Sequence, residues 1–507
     1  MLKIFSADQL HQIDNSTIQH EAISSLDLME NAAKAFVEWV STHYQKNKRF
    51  FIFCGLGNNG GDGLAIARLL ALQNYEVKVA IAWYSNNCSA DFTINLEYLK
   101  EIKKVEISNI RQQQDIPSIH GEIIIDALLG SGLSRPVEGL LADIIYHINK
   151  SKAEVLAVDI PSGFFCDKNS DNDKETKIKA THTLTFQFPK LSFMFPESEI
   201  FVGQFHVLPI GLSETAIDET SSKNYYITET GVKKILKKRK KFSNKGDYGH
   251  ALLLAGSYGQ MGAAVLASGA CLCSGAGLLT VHVPHCGYEI MQTSLPEAMT
   301  SADVSEHFIS ALPELFKFDA IGIGPGIKTG EETKNLLKLL IQNTSLPLVI
   351  DADAINILGE NKTWLSFVPA GSIFTPHPKE FERLIGKTST SFERQQKQIE
   401  FARMHNVYVV LKGAYTCIAC PDGVCYFNST GNPGMAKGGS GDVLTGMILS
   451  LLAQGYAAKE ACILGVYIHG YAGDIAAAKK SEEAMLASDI IENIGQVFLK
   501  LRNGQNE

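Results

Sequence analysis

Short apolar runs recur along the chain, and each is followed by a stretch whose apolar positions keep helical spacing. In the first half the runs fall at 49–54, 77–82, 123–127, 155–159 and 181–186. Ser6 and Gln9 make a capping-box pattern that predicts a helix to about Ile18, and a second helix is predicted over 64–73. A new series begins at 251–255 and continues at 279–283, 320–323, 348–350, 373–375 and 407–412, with a small-residue helix around 262–274. Runs that are apolar throughout belong to strands buried on both faces, and such strands form parallel sheets covered by helices. The expected fold class is α/β: an N-terminal Rossmann-like three-layer domain, then another three-layer α/β domain.

From 211 to about 245 the composition shifts to Ser, Thr, Glu and Lys, which sets the expected domains at 1–214 and 229–507 with a linker at 215–228. Seven of the nine positions from Lys233 to Lys241 are basic. They fit either a patch for an anionic ligand or a solvated helix face with linker. The net charge of −8 favours the solvated face, and it disfavours a protein devoted to nucleic acid. No stretch approaches the roughly 20 apolar residues that span a bilayer; the longest candidate, 443–458, is broken by Gly446, Ser450, Gln454 and Gly455. The N-terminus turns polar at Asp8, too early for a signal peptide. Ten cysteines in 507 residues make no disulfide framework. Cys417, Cys420 and Cys425 flank the turn Pro421-Asp422-Gly423 and read as a hairpin rather than a metal site. A reducing, cytoplasmic compartment is expected, with small-molecule partners, neither nucleic acid nor membrane, and self-association into a homo-oligomer.

The 43 glycines gather directly after apolar runs, where backbone must approach a ligand or turn tightly. Gly55-Leu56-Gly57-Asn58-Asn59-Gly60 fits the dinucleotide fingerprint, which also demands a carboxylate about 20 positions on. There the chain reads Trp83-Tyr84-Ser85-Asn86, so hydride transfer is disfavoured. The longer string Gly57-Asn58-Asn59-Gly60-Gly61-Asp62-Gly63 is more specific: its glycine N–H groups and side-chain amides, at a helix N-terminus, suit an anionic ligand. Asp126 and Asp159 end later strands, and the carboxyl ends of parallel strands line one edge.

These residues, with Leu28-Met29-Glu30-Asn31-Ala32, Asp126 to Pro136 and Asp159 to Gly163, resemble the NAD(P)H-hydrate epimerases over about residues 8–211. The resemblance implies that Asn58, Asn59, Gly60, Gly61 and Asp62 hold the hydrated dinucleotide together with Gly130, Ser131, Gly132, Leu133, Ser134, Arg135 and Pro136. It implies K⁺ on Asn59, Asp126 and Ser162, and Asp159 as the catalytic carboxylate at the nicotinamide ring. The reaction implied interconverts the R and S forms at the hydrated ring carbon. That needs a proton donor and acceptor within hydrogen-bond reach.

In the second half, Gly438-Gly439-Ser440-Gly441-Asp442 precedes an apolar helix. Glycine N–H groups at a helix start offset charge on a phosphoryl group in flight, and the following Asp accepts a proton from an attacking hydroxyl. This loop, with Lys245-Gly246-Asp247-Tyr248-Gly249, Gly322-Ile323-Gly324-Pro325-Gly326, Asp351-Ala352-Asp353-Ala354 and Thr375-Pro376-His377-Pro378, is similar to the ribokinase-like NAD(P)H-hydrate dehydratases over about 225–500. The resemblance implies that Ala263, Gly326, His377 and the catalytic Asp442 face the hydrate. Lys412, Gly413, Ala414, Tyr415, Thr416 and Gly441 would hold ADP or ATP, with Mg²⁺ on the nucleotide. The loop departs from the family's pattern at Lys437 and Ser440, and Lys437 is expected to add charge near the phosphates. One rival is a ribokinase-like small-molecule kinase. Another makes the first half a non-catalytic ligand-binding or scaffolding domain.

Overall fold

The strand Arg49–Cys54 shows how the first sheet is built. Alternate residues of a strand point to opposite faces. Phe50, Ile52 and Cys54 join one core cluster, with Phe36 and Val37 of the helix Ser25–His43 and Leu64 of the helix Asn58–Leu72. Phe51 and Phe53 join the other, with Ile144, Ile145 and Ile148 of the helix Leu140–Ser151. Each such side chain, when fully buried, contributes about 1.5–3 kcal/mol relative to exposure. The three layers follow from this two-sided burial.

The structure is a computed structural model that describes residues 1–169 and 175–503. Residues 170–174, inside the expected first domain, and 504–507, the end of the expected second, lie outside the described residues. The chain forms two units, Lys3–Ser222 and the remainder from Lys223 with Met1–Leu2. In the first unit seven parallel strands run in the order Glu106–Ile110, Glu76–Ala82, Arg49–Cys54, Ile123–Ala127, Val155–Val158, His182–Phe186, Gln204–Leu208. Connections reverse direction between Arg49–Cys54 and Ile123–Ala127, and such a switch point opens a crevice at the carboxyl ends of the strands. The two outermost strands escape the sequence pattern because Glu106, Ser108, Asn109, Gln204 and His206 give them the polar character of edges. The helix predicted from Leu64 in fact starts at Asn58, so the glycine string forms its first turns.

The second unit repeats the device. Parallel strands Ile373–Phe374, Leu348–Ile350, Ala320–Ile323, His250–Leu254, Leu278–Val283 and Met299–Ala302 are neighbours in that order, so the direction reverses at His250–Leu254. Tyr408–Leu411 continues the sheet beyond Ile373–Phe374, and the antiparallel hairpin Cys417–Ala419 and Cys425–Phe427 extends it. All ten cysteines are free.

Three readings change. The stretch 215–228 holds the end of the helix Glu214–Glu219 and the strand Asn224–Tyr226, and the units divide at Ser222. Only Lys233 and Lys234 of the basic run lie on a helix, Glu229–Ile235. Lys237 to Lys240 instead line a cavity of about 820 Å³ with Tyr248 and Tyr456. Finally, the helix Ala458–Lys480 is long and apolar enough to cross a membrane, with 72% of its most apolar window buried inside the protein. It packs as a core helix, with Ile463, Leu464, Val466 and Ile468 in the main cluster of the second unit.

Candidate active sites

The crevice of the first unit is a cavity of about 500 Å³. Asn58, Asn59 and Asp62 enter it from the first turns of the helix Asn58–Leu72; Gly130, Ser131, Gly132 and Leu133 line it from the loop after Ile123–Ala127. Gly60 and Gly61 do not line it. A side chain at Gly60 would overlap the Gly55 carbonyl, and one at Gly61 would press on Met29, so these two serve close packing. Ser134, Arg135 and Pro136 are exposed and lie outside the lining.

Asp159 follows the strand Val155–Val158 with φ at 65°, a left-handed conformation that costs a non-glycine residue on the order of 1 kcal/mol. Its Oδ1 accepts from Lys190 Nζ at 2.7 Å, from the Phe186 amide at 3.0 Å and from Thr185 Oγ1 at 3.2 Å. The Lys190 side chain is only 2% exposed and that of Asp159 14%, so the pair is largely withdrawn from water, where each partner offsets the other's desolvation. Lys190 was not foreseen, since a buried lysine carries no sequence signal of its own.

Asp14, which lines the same cavity from the helix Ala7–His20, was also missed. Burial first, then the Asp159 charge, pushes its carboxyl up to about 6, against the lowering pull of His11 and Lys190. A readable signal existed: Asp14 stands four residues after buried Leu10, where an inward apolar residue belongs. Burial and the charges of Asp159, Asp14 and Asp91 hold the Asp62 carboxyl well above the usual carboxylate range.

Beside the cavity, the buried Asp126 carboxylate accepts from Ser162 Oγ at 2.6 Å and from the Ser162 amide at 2.7 Å. Ser162 Oγ also accepts from the Leu129 amide at 2.8 Å. Asn59 Nδ2 donates to the Val158 carbonyl at 2.9 Å, which leaves the buried Asn59 Oδ1 without a hydrogen-bond partner. A buried carboxylate whose pKa burial raises to about 6, together with an orphaned amide oxygen and a hydroxyl, is an all-oxygen donor set that fits a hard cation.

In the second unit Asp442 is the third residue of the helix Ser440–Ala453. Gly439 precedes it with φ at 93°, a left-handed turn that glycine adopts without strain, and no side chain caps the helix. The first-turn N–H groups are thus left for an anion. The Ser440 carbonyl accepts from His469 Nε2 at 2.9 Å, and burial keeps that imidazole neutral, its pKa pulled down to about 4. Asp442 is raised to about 6 by burial and by Asp351, against the lowering effect of Lys412, with smaller raising contributions from Asp353 and Glu380.

Lys412 Nζ donates to Asp351 Oδ1 at 3.0 Å, and Thr445 Oγ1 to Asp351 Oδ2 at 2.7 Å. The lysine expected to hold nucleotide is thus engaged by a carboxylate, beside Gly441, whose absent side chain leaves room for the ammonium. Gly413 and Thr416 close a tight turn, Thr416 Oγ1 donating to the Gly413 carbonyl at 2.9 Å; Ala414 and Tyr415 form its tip. His377 caps the helix Pro378–Ile385, its Nδ1 accepting from the Lys379 and Glu380 amides; burial keeps it below its ordinary pKa. Gly326 packs against Ala263, and its carbonyl accepts from Ser257 Oγ at 2.7 Å. Asp351 and Thr445 are the residues whose part in this network the sequence reading did not assign.

Lys437 departs from expectation. Its ammonium is taken up by the Glu483 and Met485 carbonyls, the latter at 2.8 Å, so it staples two segments of the unit.

Comparison with known proteins agrees with this two-site architecture. Residues 25–192 match the family model of the YjeF-related protein N-terminus, and residues 251–496 that of NAD(P)H-hydrate dehydratase. The bifunctional NAD(P)H-hydrate repair enzyme Nnr of Moorella thermoacetica is 37% identical over 99% of this chain and 97% of that protein. Its counterpart in Thermofilum pendens is 33% identical over 99% and 97%. A crystal structure of the ADP/ATP-dependent NAD(P)H-hydrate dehydratase from Bacillus subtilis is 32% identical, covering 55% of this chain and 99% of that one, with a TM-score of 0.48. The chain therefore belongs to the bifunctional NAD(P)H-hydrate repair enzymes, which join an epimerase to a nucleotide-dependent dehydratase.

Proposed function

We propose that the first crevice epimerises hydrated NADH and NADPH at the ring carbon bearing the hydroxyl, and that the second site removes that hydroxyl from the S form by way of a phosphate ester. The observation that carries the second step is Asp442 at an uncapped helix start, its carboxyl held near 6. At neutral pH it is ionised yet basic enough to take the proton of the substrate hydroxyl as that oxygen attacks the terminal phosphorus of ADP or ATP. The amides of Ser440, Gly441 and Asp442 receive the charge on the transferred group. Once the phosphate is attached, the C–O bond breaks with phosphate as leaving group. Electrons from the ring nitrogen fill in, and loss of a proton from the adjacent carbon restores the dihydropyridine. Hydroxide leaves poorly and phosphate well; the nucleotide drives the step for that reason.

Lys412 and Thr445 hold Asp351 in place, so that Lys412 both orients this carboxylate and tempers the proton affinity of Asp442. Ala263, Gly326 and His377 face the hydrate, while Gly413, Ala414, Tyr415, Thr416 and Gly441 hold the nucleotide. Mg²⁺ would arrive on the nucleotide and neutralise phosphate charge there, since Asp351 is engaged by Lys412 and Thr445 and Glu380 by the His377 amide. In the first site Asp159 is the ring-facing carboxylate and Lys190 holds it in place. K⁺ fits Asn59, Asp126 and Ser162, where it would supply positive charge behind the phosphate-facing loop.

The test is direct. Purified protein with ADP or with ATP is added to separated R and S hydrates, and reduced-nicotinamide absorbance is followed. Recovery from both forms supports the reading; recovery from the S form alone refutes an active first site. A stable phosphorylated product would favour a kinase.

A further inference from the structure

Asp159 has its Oδ1 taken up by the Lys190 ammonium at 2.7 Å, and a reaction that both removes and restores a hydroxyl needs a second proton-transfer group. Asp14 lines the same cavity from a different element, the helix Ala7–His20. Nothing local uses its carboxyl: among the described residues no hydrogen bond or ion pair is made by Asp14, although it stands inside a helix, where aspartate is a poor former. Its helix turns Leu10, Ile13 and Thr17 into the protein. An unpaired carboxyl between those positions is costly unless a ligand meets it. The groups that face it are Asp159, Lys190 and His11, with Asp62 and its neighbour Asp91 adding negative charge nearby. The family model for this half begins at residue 25, beyond Asp14.

We propose that Asp14 is a second catalytic carboxyl of the epimerase, acting as the acid opposite Asp159 as the base. This rests on the first crevice being the epimerase site. The two environments divide the labour: the Lys190 ammonium occupies Asp159, while Asp14 has no cation paired to it among the described residues, and its carboxyl, raised to about 6 by burial and by Asp159, carries a proton in a fraction of molecules at neutral pH. Asp14 gives its proton to the ring hydroxyl, and the C–O bond breaks as water leaves. The ring-nitrogen lone pair forms a C=N⁺ bond, which makes the carbon planar. Water then adds to the other face and yields a proton to Asp159. One water is released and one taken up, and exchange with solvent water in the cavity carries the proton from Asp159 back to Asp14, which restores both carboxyls for the next turnover.

The test uses the full chain carrying Asp14→Asn, with R-to-S interconversion followed chromatographically and the protein-free rate subtracted. The expected result is a kcat at least 100-fold lower, KM within threefold of the unsubstituted enzyme, and unchanged nucleotide-dependent dehydration of pure S form. Asp14→Glu should recover part of kcat and move the high-pH limb of the profile, where the acid loses its proton. An undiminished kcat, or a raised KM with kcat intact, overturns the proposal. Should Asp14→Asn fail to melt cooperatively, Asp14→Glu decides alone, and a wild-type kcat with an unmoved profile overturns it. If the unsubstituted protein itself does not interconvert the forms, the epimerase reading fails, whatever Asp14 does.

Discussion

Lys412 and Asp351 meet at 3.0 Å, and both charges act on Asp442, the ammonium lowering and the carboxylate raising its proton affinity. The acidity of Asp442, raised first by burial, is thus tuned by this ion pair.

Because Asp442 must be ionised to act as base, dehydratase turnover should climb with pH through about 6 and level off above it. Lys412→Met removes the cation that favours ionisation, so the rising limb should move to higher pH. A pH–rate profile under saturating nucleotide checks both statements; a limb unmoved by the substitution contradicts the arrangement.

Asp442→Asn should lower nucleotide-dependent dehydration by about 10²–10⁴-fold, the usual worth of a positioned base. Epimerisation by the same protein should be untouched, which serves as the internal control for folding.

Asp159 and Lys190 should show strong coupling. Asp159→Asn or Lys190→Met alone leaves one charge buried without its partner, at a cost on the order of 3 kcal/mol. The double substitution should cost clearly less than the two singles together. Urea titration of the four proteins gives the coupling, and simple additivity would deny that the pair is energetically linked.

Gly60→Ala should destabilise the first unit by about 1–3 kcal/mol, since the added carbon would overlap the Gly55 carbonyl. Hydrogen exchange of the helix Asn58–Leu72 reports on this without catalysis. Protection equal to that of the parent would return Gly60 to the ligand-binding role its motif implied.

Lys437→Thr should leave the nucleotide KM within about twofold and reduce thermal stability, because the ammonium serves two carbonyls. A ligand-linked melting series separates the effects.

The inner strands and the two glycine loops were legible because a strand buried on both faces must be apolar throughout, as Ile123–Ala127 is until Asp126. The edge strands Glu106–Ile110 and Gln204–Leu208 were not, since a half-solvated strand has no such demand. The ends of the site motifs were readable, Asp159 and Asp442 among them. Their surroundings were not: Lys190 meets Asp159 across 31 positions of chain, and Lys412, read only as a nucleotide residue, meets Asp351 across 61. The basic run misled because composition reports charge but not where the helix stops. Ala458–Lys480 likewise shows that an apolar helix is as much a core element as a membrane one.

The bond from His469 to the Ser440 carbonyl has a mechanical implication. It moors the glycine turn at the start of Ser440–Ala453 to the buried helix Ala458–Lys480, so that turn is ill suited to swing as a gate. Any movement that accompanies ligand exchange is then expected in loops without such a tether, while the helix start itself holds still.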